Sequence, residues 1–121
     1  MSQSQTLGKT GEERVAEFLQ KEGYKIRHMN WVSGKKELDI VAENKDYIVF
    51  VEVKTRTEGF LEDLKDVVSK EKQRSIIYAA DAYIHRYDIS KDSRFDIITV
   101  IAKRQTFEIE HIEGAFYPTL R

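Results

Sequence analysis

The stretch that decides the fold is ELDIVAENKDYIVFVEVK, running from Glu37 to Lys54. Leu38, Ile40 and Ala42 alternate with Glu37, Asp39 and Val41, and Glu43-Asn44-Lys45-Asp46 then supplies turn chemistry. Tyr47 to Lys54 is strongly β-prone, so the segment reads as a β-hairpin. Its second arm is apolar on both faces until Glu52, the mark of an interior strand. Pairing Glu43 with Asp46 across the turn sets Glu37 opposite Glu52. Asp39 then faces Phe50, one diagonal step from Glu52. Because strand side chains alternate with period two, Glu37, Asp39, Phe50, Glu52 and Lys54 share one face. A longer turn with a bulge would change the partners but keep Asp39 and Glu52 within reach.

Carboxylates gathered at one end of an apolar strand pair repel each other, and burial opposes their ionisation. A divalent cation removes both costs. Mg²⁺ or Mn²⁺ takes one or two carboxylates together with waters and a phosphate. Lys54 reaches the same place and suits orienting a water or stabilising charge on a phosphate. The plainer alternative is a salt-bridged hairpin in which Lys54 or Arg56 neutralises Asp39 and Glu52. For a Glu-x-Lys triplet alone that is the commoner arrangement. What raises the site reading is the upstream Asp39 on the same face and the apolar residues enclosing the strand.

Working outward, Thr10 and Glu13 have capping-box spacing, and Val15, Ala16, Phe18 and Leu19 follow on one helical face until Gly23. Glu12 heads that apolar stripe and is a candidate fourth acid, set against simple favourable placement at a helix N-terminus. Tyr24 to Val32 reads as a strand, and Ser33-Gly34-Lys35 as a turn. Beyond the hairpin come a charged loop around Gly59 and a helix from about Leu61 to Tyr87, striped with Val68, Ile76, Ala80, Tyr83 and Tyr87. Strands over Arg94–Ala102 and Thr106–Ile112 close the chain. The order is αβββαββ, an α/β fold with a mixed sheet flanked by helices. Lys54, Arg56, Lys65, Lys70, Lys72 and Arg74 cluster after the hairpin. Arg56, Lys70 and Lys72 are candidate contacts to a phosphate backbone. The interspersed Glu62, Asp63, Asp66 and Glu71 favour a solvated helix face instead.

The 121 residues suit one domain, read as 10–121 behind a short polar tail of residues 1–9. With no cysteine, disulfides and thiolate chemistry are excluded. His28, His85 and His111 lack zinc spacing, and the serines lack an elbow or triad context. No apolar run or signal pattern points to a membrane or to export, so a cytoplasmic protein is expected. Against 21 acids stand 20 bases, which excludes indiscriminate coating of nucleic acid by bulk charge.

At Asp39, Glu52-Val53-Lys54 and Glu12 the sequence resembles the restriction-endonuclease-like superfamily, whose pattern is Asp followed by Glu/Asp-x-Lys. More closely it resembles the YraN-type family of uncharacterised bacterial proteins, similar in turn to archaeal Holliday-junction resolvases. The resemblance is carried by Gly8-x-x-Gly11-Glu12, Gly23-Tyr24, Asn30, Glu37 to Ala42 and Val49 to Arg56. Lys72, Ala79, Ala80, Arg94-Phe95-Asp96 and Ala115-Phe116 extend it across nearly the whole chain. Lys36 stands where the family usually has glycine.

The resemblance implies a restriction-endonuclease-like core and a Mg²⁺- or Mn²⁺-dependent endonuclease acting on DNA, with branched or structured DNA as preferred substrate. Glu12, Asp39 and Glu52 would hold the metal, Lys54 would assist the attacking water, and Glu37 would be a second-tier acid. A homodimer and repair or recombination proteins are the implied partners. Two rival readings stand beside it. One is a nucleic-acid-binding module that keeps the nuclease fold without useful turnover, inside a repair or DNA-uptake complex. The other is an α/β interaction protein with a salt-bridged hairpin.

Overall fold

A computed structural model describes residues 10–59 and 68–118. The tail over residues 1–9, Gly8, Lys65 and the acids Glu62, Asp63 and Asp66 lie outside the described residues. Helix α1 (Gly11–Lys21) leads to strands β1 (Lys25–Ser33), β2 (Lys36–Glu43) and β3 (Tyr47–Thr57). Helix α2 (Lys70–Tyr87) follows, then β4 (Asp92–Ala102) and β5 (Phe107–Phe116). The αβββαββ order is therefore as the sequence indicates, with one five-stranded sheet in the spatial order β1-β2-β3-β4-β5. Only β3 and β4 run parallel, joined through α2, and the other neighbours are antiparallel.

α1 starts where the capping box sets it. Thr10 Oγ1 accepts the Glu13 N–H at 3.1 Å, and a Glu13 carboxylate oxygen accepts the Thr10 N–H at 2.9 Å. The helix ends at Glu22 before Gly23, whose φ of +96° suits a residue without Cβ. α2 begins later than its apolar stripe suggests. Ser69 is its N-cap, its hydroxyl accepting the Lys72 N–H at 3.1 Å, so Val68 is buried ahead of the helix instead of within it. The stretch 61–67 lies outside the described residues. β5 continues past Ile112 to Phe116 because a bulge in its pairing with β4 restores the ladder at Phe95 and Phe116.

Among the described residues, each face of the sheet carries one helix. Val15, Ala16 and Leu19 of α1 pack on Ile40, Ala42, Val49, Val51, Ile98 and Val100. Ile76, Ala79, Ala80 and Tyr83 of α2 pack on Val41, Ile48, Phe50, Phe95 and Ile97. The strict alternation of β3 between these two sets, Ile48 and Phe50 against Val49 and Val51, is why it reads as apolar throughout.

The hairpin register differs from the simple expectation. Val41, not Asp39, faces Phe50, and Ile40 faces Val51. The turn explains it. Asn44 Oδ1 accepts the N–H groups of Asp46 and Tyr47 at 2.9 and 2.8 Å, and the Asn44 N–H donates to the Tyr47 carbonyl. Asn44 and Tyr47 thus close the hairpin in place of Glu43 and Asp46. The β2–β3 ladder stops at Ile40 and Val51, while β3 stays paired with β4 out to Thr57 and Ala102. Glu37 consequently pairs with Val32 of β1 and not with Glu52.

Where β2 leaves β3, β1 and β2 also exchange faces. Met29 and Ile40 pack with α1, whereas their neighbours two residues on, Trp31 and Leu38, pack with α2. The switch is centred on Asn30, at φ +53°, and on Asp39 across from it. Asparagine is one of the few residues with Cβ that tolerates this conformation.

Candidate functional site

The divergence of β2 from β3 leaves a notch, and Asp39 lies in it. One carboxylate oxygen, Oδ2, accepts the Val53 N–H at 2.9 Å, replacing the backbone acceptor that the ladder no longer provides. The next residue toward the ladder's end on β3, Glu52, is buried at 5% exposure, and its carboxyl lies close enough to Asp39 for one to hydrogen-bond the other when protonated. Two carboxyl groups share a hydrogen bond only if one keeps its proton. Burial, reinforced by the Asp39 charge, pushes the Glu52 carboxyl up to about 7, against the pull of Lys72 and Lys54.

Both lysines approach the same oxygen. Lys54 Nζ is 3.7 Å from Glu52 Oε2, and Lys72 Nζ, from the first turn of α2, is 4.0 Å from it. Lys72 therefore leans toward the acids, although its side chain is nearly half exposed. Lys70 is exposed at the helix start. One Arg56 guanidinium nitrogen donates to the Thr55 carbonyl at 3.3 Å.

Glu12 approaches from the other face of the sheet. Asn30 Nδ2 donates to its Oε1 at 2.8 Å. Burial raises the Glu12 carboxyl above the ordinary range, the Asn30 hydrogen bond opposes this, and the Asp39 and Glu37 charges add to the rise. Glu12, Asn30 and Val53 line a recess of about 560 Å³ beside the notch. Glu37 itself is exposed.

The donor set fits Mg²⁺ or Mn²⁺ in a particular way. Among the described residues, no three His, Cys, Asp or Glu side chains are grouped to hold an ion. Asp39 and Glu52 offer two adjoining carboxylates, the number these hard cations take when waters and phosphate oxygens complete the shell. A proton shared between them is the one such an ion would displace.

With this geometry in place, comparison with known proteins supplies the lineage. The model of "Uncharacterised protein family UPF0102" matches residues 11–100. The chain belongs to this family. A UPF0102 protein of Phocaeicola vulgatus is 46% identical over 120 residues, covering 99% of both chains. One from Parabacteroides distasonis is 44% identical over 121 residues and the full length of both. A Flavobacterium psychrophilum relative is 42% identical over 117 residues, covering 97% of this chain and 98% of its own. UPF0102 is the YraN-type family that the hairpin and its flanking residues resemble.

Two features of this UPF0102 chain escape a reading of acids and spacing. Asn30 entered only through the resemblance, yet it turns the backbone and holds Glu12. An asparagine inside a strand, where that residue is depleted, was the available signal. The second is a charged cluster on the α1 face. Asp96 is fully buried, held by Arg94 through two hydrogen bonds of 3.0 and 2.8 Å, by His111 Nε2 at 2.7 Å and by the Gly114 N–H at 3.1 Å. Burial works to raise the Asp96 carboxyl, but the hydrogen bonds from His111, Arg94 and Gly114 outweigh it and hold the group below its ordinary value. Arg94 also donates to Tyr24 Oη at 2.6 Å, which ties the end of α1 to β4. The signal was an aspartate inside the apolar run FDIITVI with an arginine two residues before it. Phe18 of α1 meets the His111 ring edge-on, so this cluster is a brace between layers.

Proposed function

We propose that this chain is a metal-dependent endonuclease that hydrolyses phosphodiester bonds in DNA, with Asp39 and Glu52 holding Mg²⁺ or Mn²⁺. The observation that supports this most is the Asp39–Glu52 carboxyl pair, set in a notch of the sheet with Glu52 buried and two lysines near one of its oxygens. Two carboxyl groups set together in a low-dielectric site cost stability once both are charged, a cost that a bound cation would offset. A bound cation would polarise the phosphate and lower the pKa of a water.

The chain's own residues have distinct tasks. Asp39, fixed by the Val53 N–H, and Glu52, once deprotonated, would hold the cation. With the Glu52 charge taken up by a cation, the Lys54 ammonium would be free to hold the nucleophilic water or an equatorial phosphate oxygen. Lys72 supplies a second positive charge on the α2 side. Glu12, oriented by Asn30, faces the site through the neighbouring recess, where it suits holding an outer water. Branched DNA as preferred substrate, and a homodimer to cut two strands symmetrically, extend the same reading.

Incubating the protein with linear, nicked, flapped and four-way DNA plus Mg²⁺ or Mn²⁺ tests it. Cleavage that disappears in Asp39→Ala and Glu52→Ala supports the assignment, and cleavage persisting in both rejects it. The second reading, a binding module with little turnover, draws on the lysines that already neutralise Glu52. Metal-independent binding without cleavage across the whole panel would select it.

A further inference from the structure

We infer that the recess between the start of α1 and the β4–β5 hairpin binds an unpaired DNA strand, with Phe107 as a base-stacking platform and Arg104 as a phosphate contact. This recess, of about 530 Å³, is lined by Gly11, Arg14, Thr55, Lys103, Arg104 and Phe107 among others. Gly11 and Thr55 also line the recess that contains Glu12, Asn30 and Val53, so the two recesses adjoin beside the notch. The proposal rests on the nuclease reading for its direction, because it gives the strand beside the acids a path outward.

The chemistry of the recess selects an unpaired nucleotide strand. Phe107 is 37% exposed at the start of an edge strand, which leaves part of a large apolar ring open to solvent. The Arg14 guanidinium lies 4.0 Å from the ring centroid and covers one face, which holds the ring as a one-sided platform. Lys103 is paired with Glu108 at 3.3 Å, whereas Arg104 at the hairpin tip is exposed and makes no ion pair among the described residues. An aromatic ring beside fixed cations is how single strands are held without sequence preference, since every base has a π-face. Duplex bases are already stacked and offer no such face. Gly11 packs directly against Thr55 at the floor of the recess, where a Cβ would come within 2.6 Å of Thr55 Oγ1.

Fluorescence anisotropy with a labelled oligo-dT and a duplex of equal length, in EDTA so that nothing is cut, tests the inference. Phe107→Leu keeps apolar bulk without a π-face and should weaken oligo-dT binding about fivefold or more, while duplex binding changes little. Phe107→Trp should restore it. Arg104→Ala should reduce the slope of log K against log salt by about 0.7. Equal oligo-dT affinity for wild type, Phe107→Leu and Arg104→Ala overturns the proposal, as does an equal loss on duplex and single strand. Failure of the nuclease reading shows up elsewhere, as absent cleavage with Mn²⁺ while the Phe107-dependent binding persists.

Discussion

The Asp39 carboxylate stands where a β2 backbone acceptor would be, taking the Val53 N–H at 2.9 Å. One side chain thus serves as a structural plug and as half of the acid pair, and the two roles separate by substitution. Asp39→Asn keeps an amide oxygen for Val53 and removes the charge beside Glu52. Its unfolding free energy should match or exceed wild type, while Mn²⁺ binding measured calorimetrically is lost. Asp39→Ala strands the Val53 N–H, and should cost about 1–3 kcal/mol in urea unfolding.

Glu52 sets a pH dependence with a definite sign. Its carboxyl has an ordinary value of 4.5 in the unfolded chain and about 7 in the folded one. Its contribution to stability is therefore fully present below the unfolded value and is lost as pH rises through the folded value. Thermal unfolding of metal-free protein should show the melting temperature declining across that window. Glu52→Gln should flatten the decline and gain on the order of 2 kcal/mol above neutrality. A wild-type profile that rises toward pH 8 would contradict the pairing.

Asp96 works in the opposite sense. Its carboxyl is held below the ordinary 3.8, so its contribution is present above that value and is lost as pH falls through the lowered one. Asp96→Ala leaves the mostly buried Arg94 with only the exposed Glu113 carboxylate, 3.6 Å away, as counter-charge and should destabilise the fold by about 3 kcal/mol. Mn²⁺ affinity, read on whatever fraction remains folded, should be unchanged, because Asp96 faces α1 and Glu52 faces α2.

Asn30 joins a backbone role to a side-chain role, and two substitutions divide them. Asn30→Gly keeps the positive φ and removes the hydrogen bond to Glu12. Asn30→Ala removes both, and should cost about 1 kcal/mol more than the glycine variant. In either, the Glu12 carboxyl should titrate higher than in wild type, followed by its side-chain carbon shift in NMR, because the Asn30 hydrogen bond is what opposes burial.

How much of this was legible in the sequence depends on the range of the interaction. The elements followed from local periodicity and capping, as at Thr10–Glu13 and over Tyr47–Lys54. The convergence of Asp39 with Glu52 followed from strand alternation, which survives a register shift by an even number of residues. That is why the Asn44 turn altered every partner yet left the acids together. What was hidden required the third dimension. Nothing in the spacing says that Asn30 inverts the faces of β1, that Lys72 crosses to Glu52, or that His111 and Arg94 meet on Asp96. The stripe from Leu61 overran the start of α2 because apolar spacing continues into Val68, and only the Ser69 cap marks the boundary.

α1 and α2 each send a first-turn side chain toward the acid pair. Glu12 is in the first turn of α1 and feels the Asp39 charge, and Lys72, in the first turn of α2, lies 4.0 Å from Glu52. Aligned peptide dipoles leave roughly half an elementary charge, positive, at each such end. The carboxyl pair therefore sits in a field supplied by main chain from both layers of the fold. Unlike the lysines, that field does not titrate and cannot be removed by changing a side chain. It would act as well on a phosphate arriving at the notch, so part of the attraction for an anionic strand is built into the topology, in a chain whose net charge is −1.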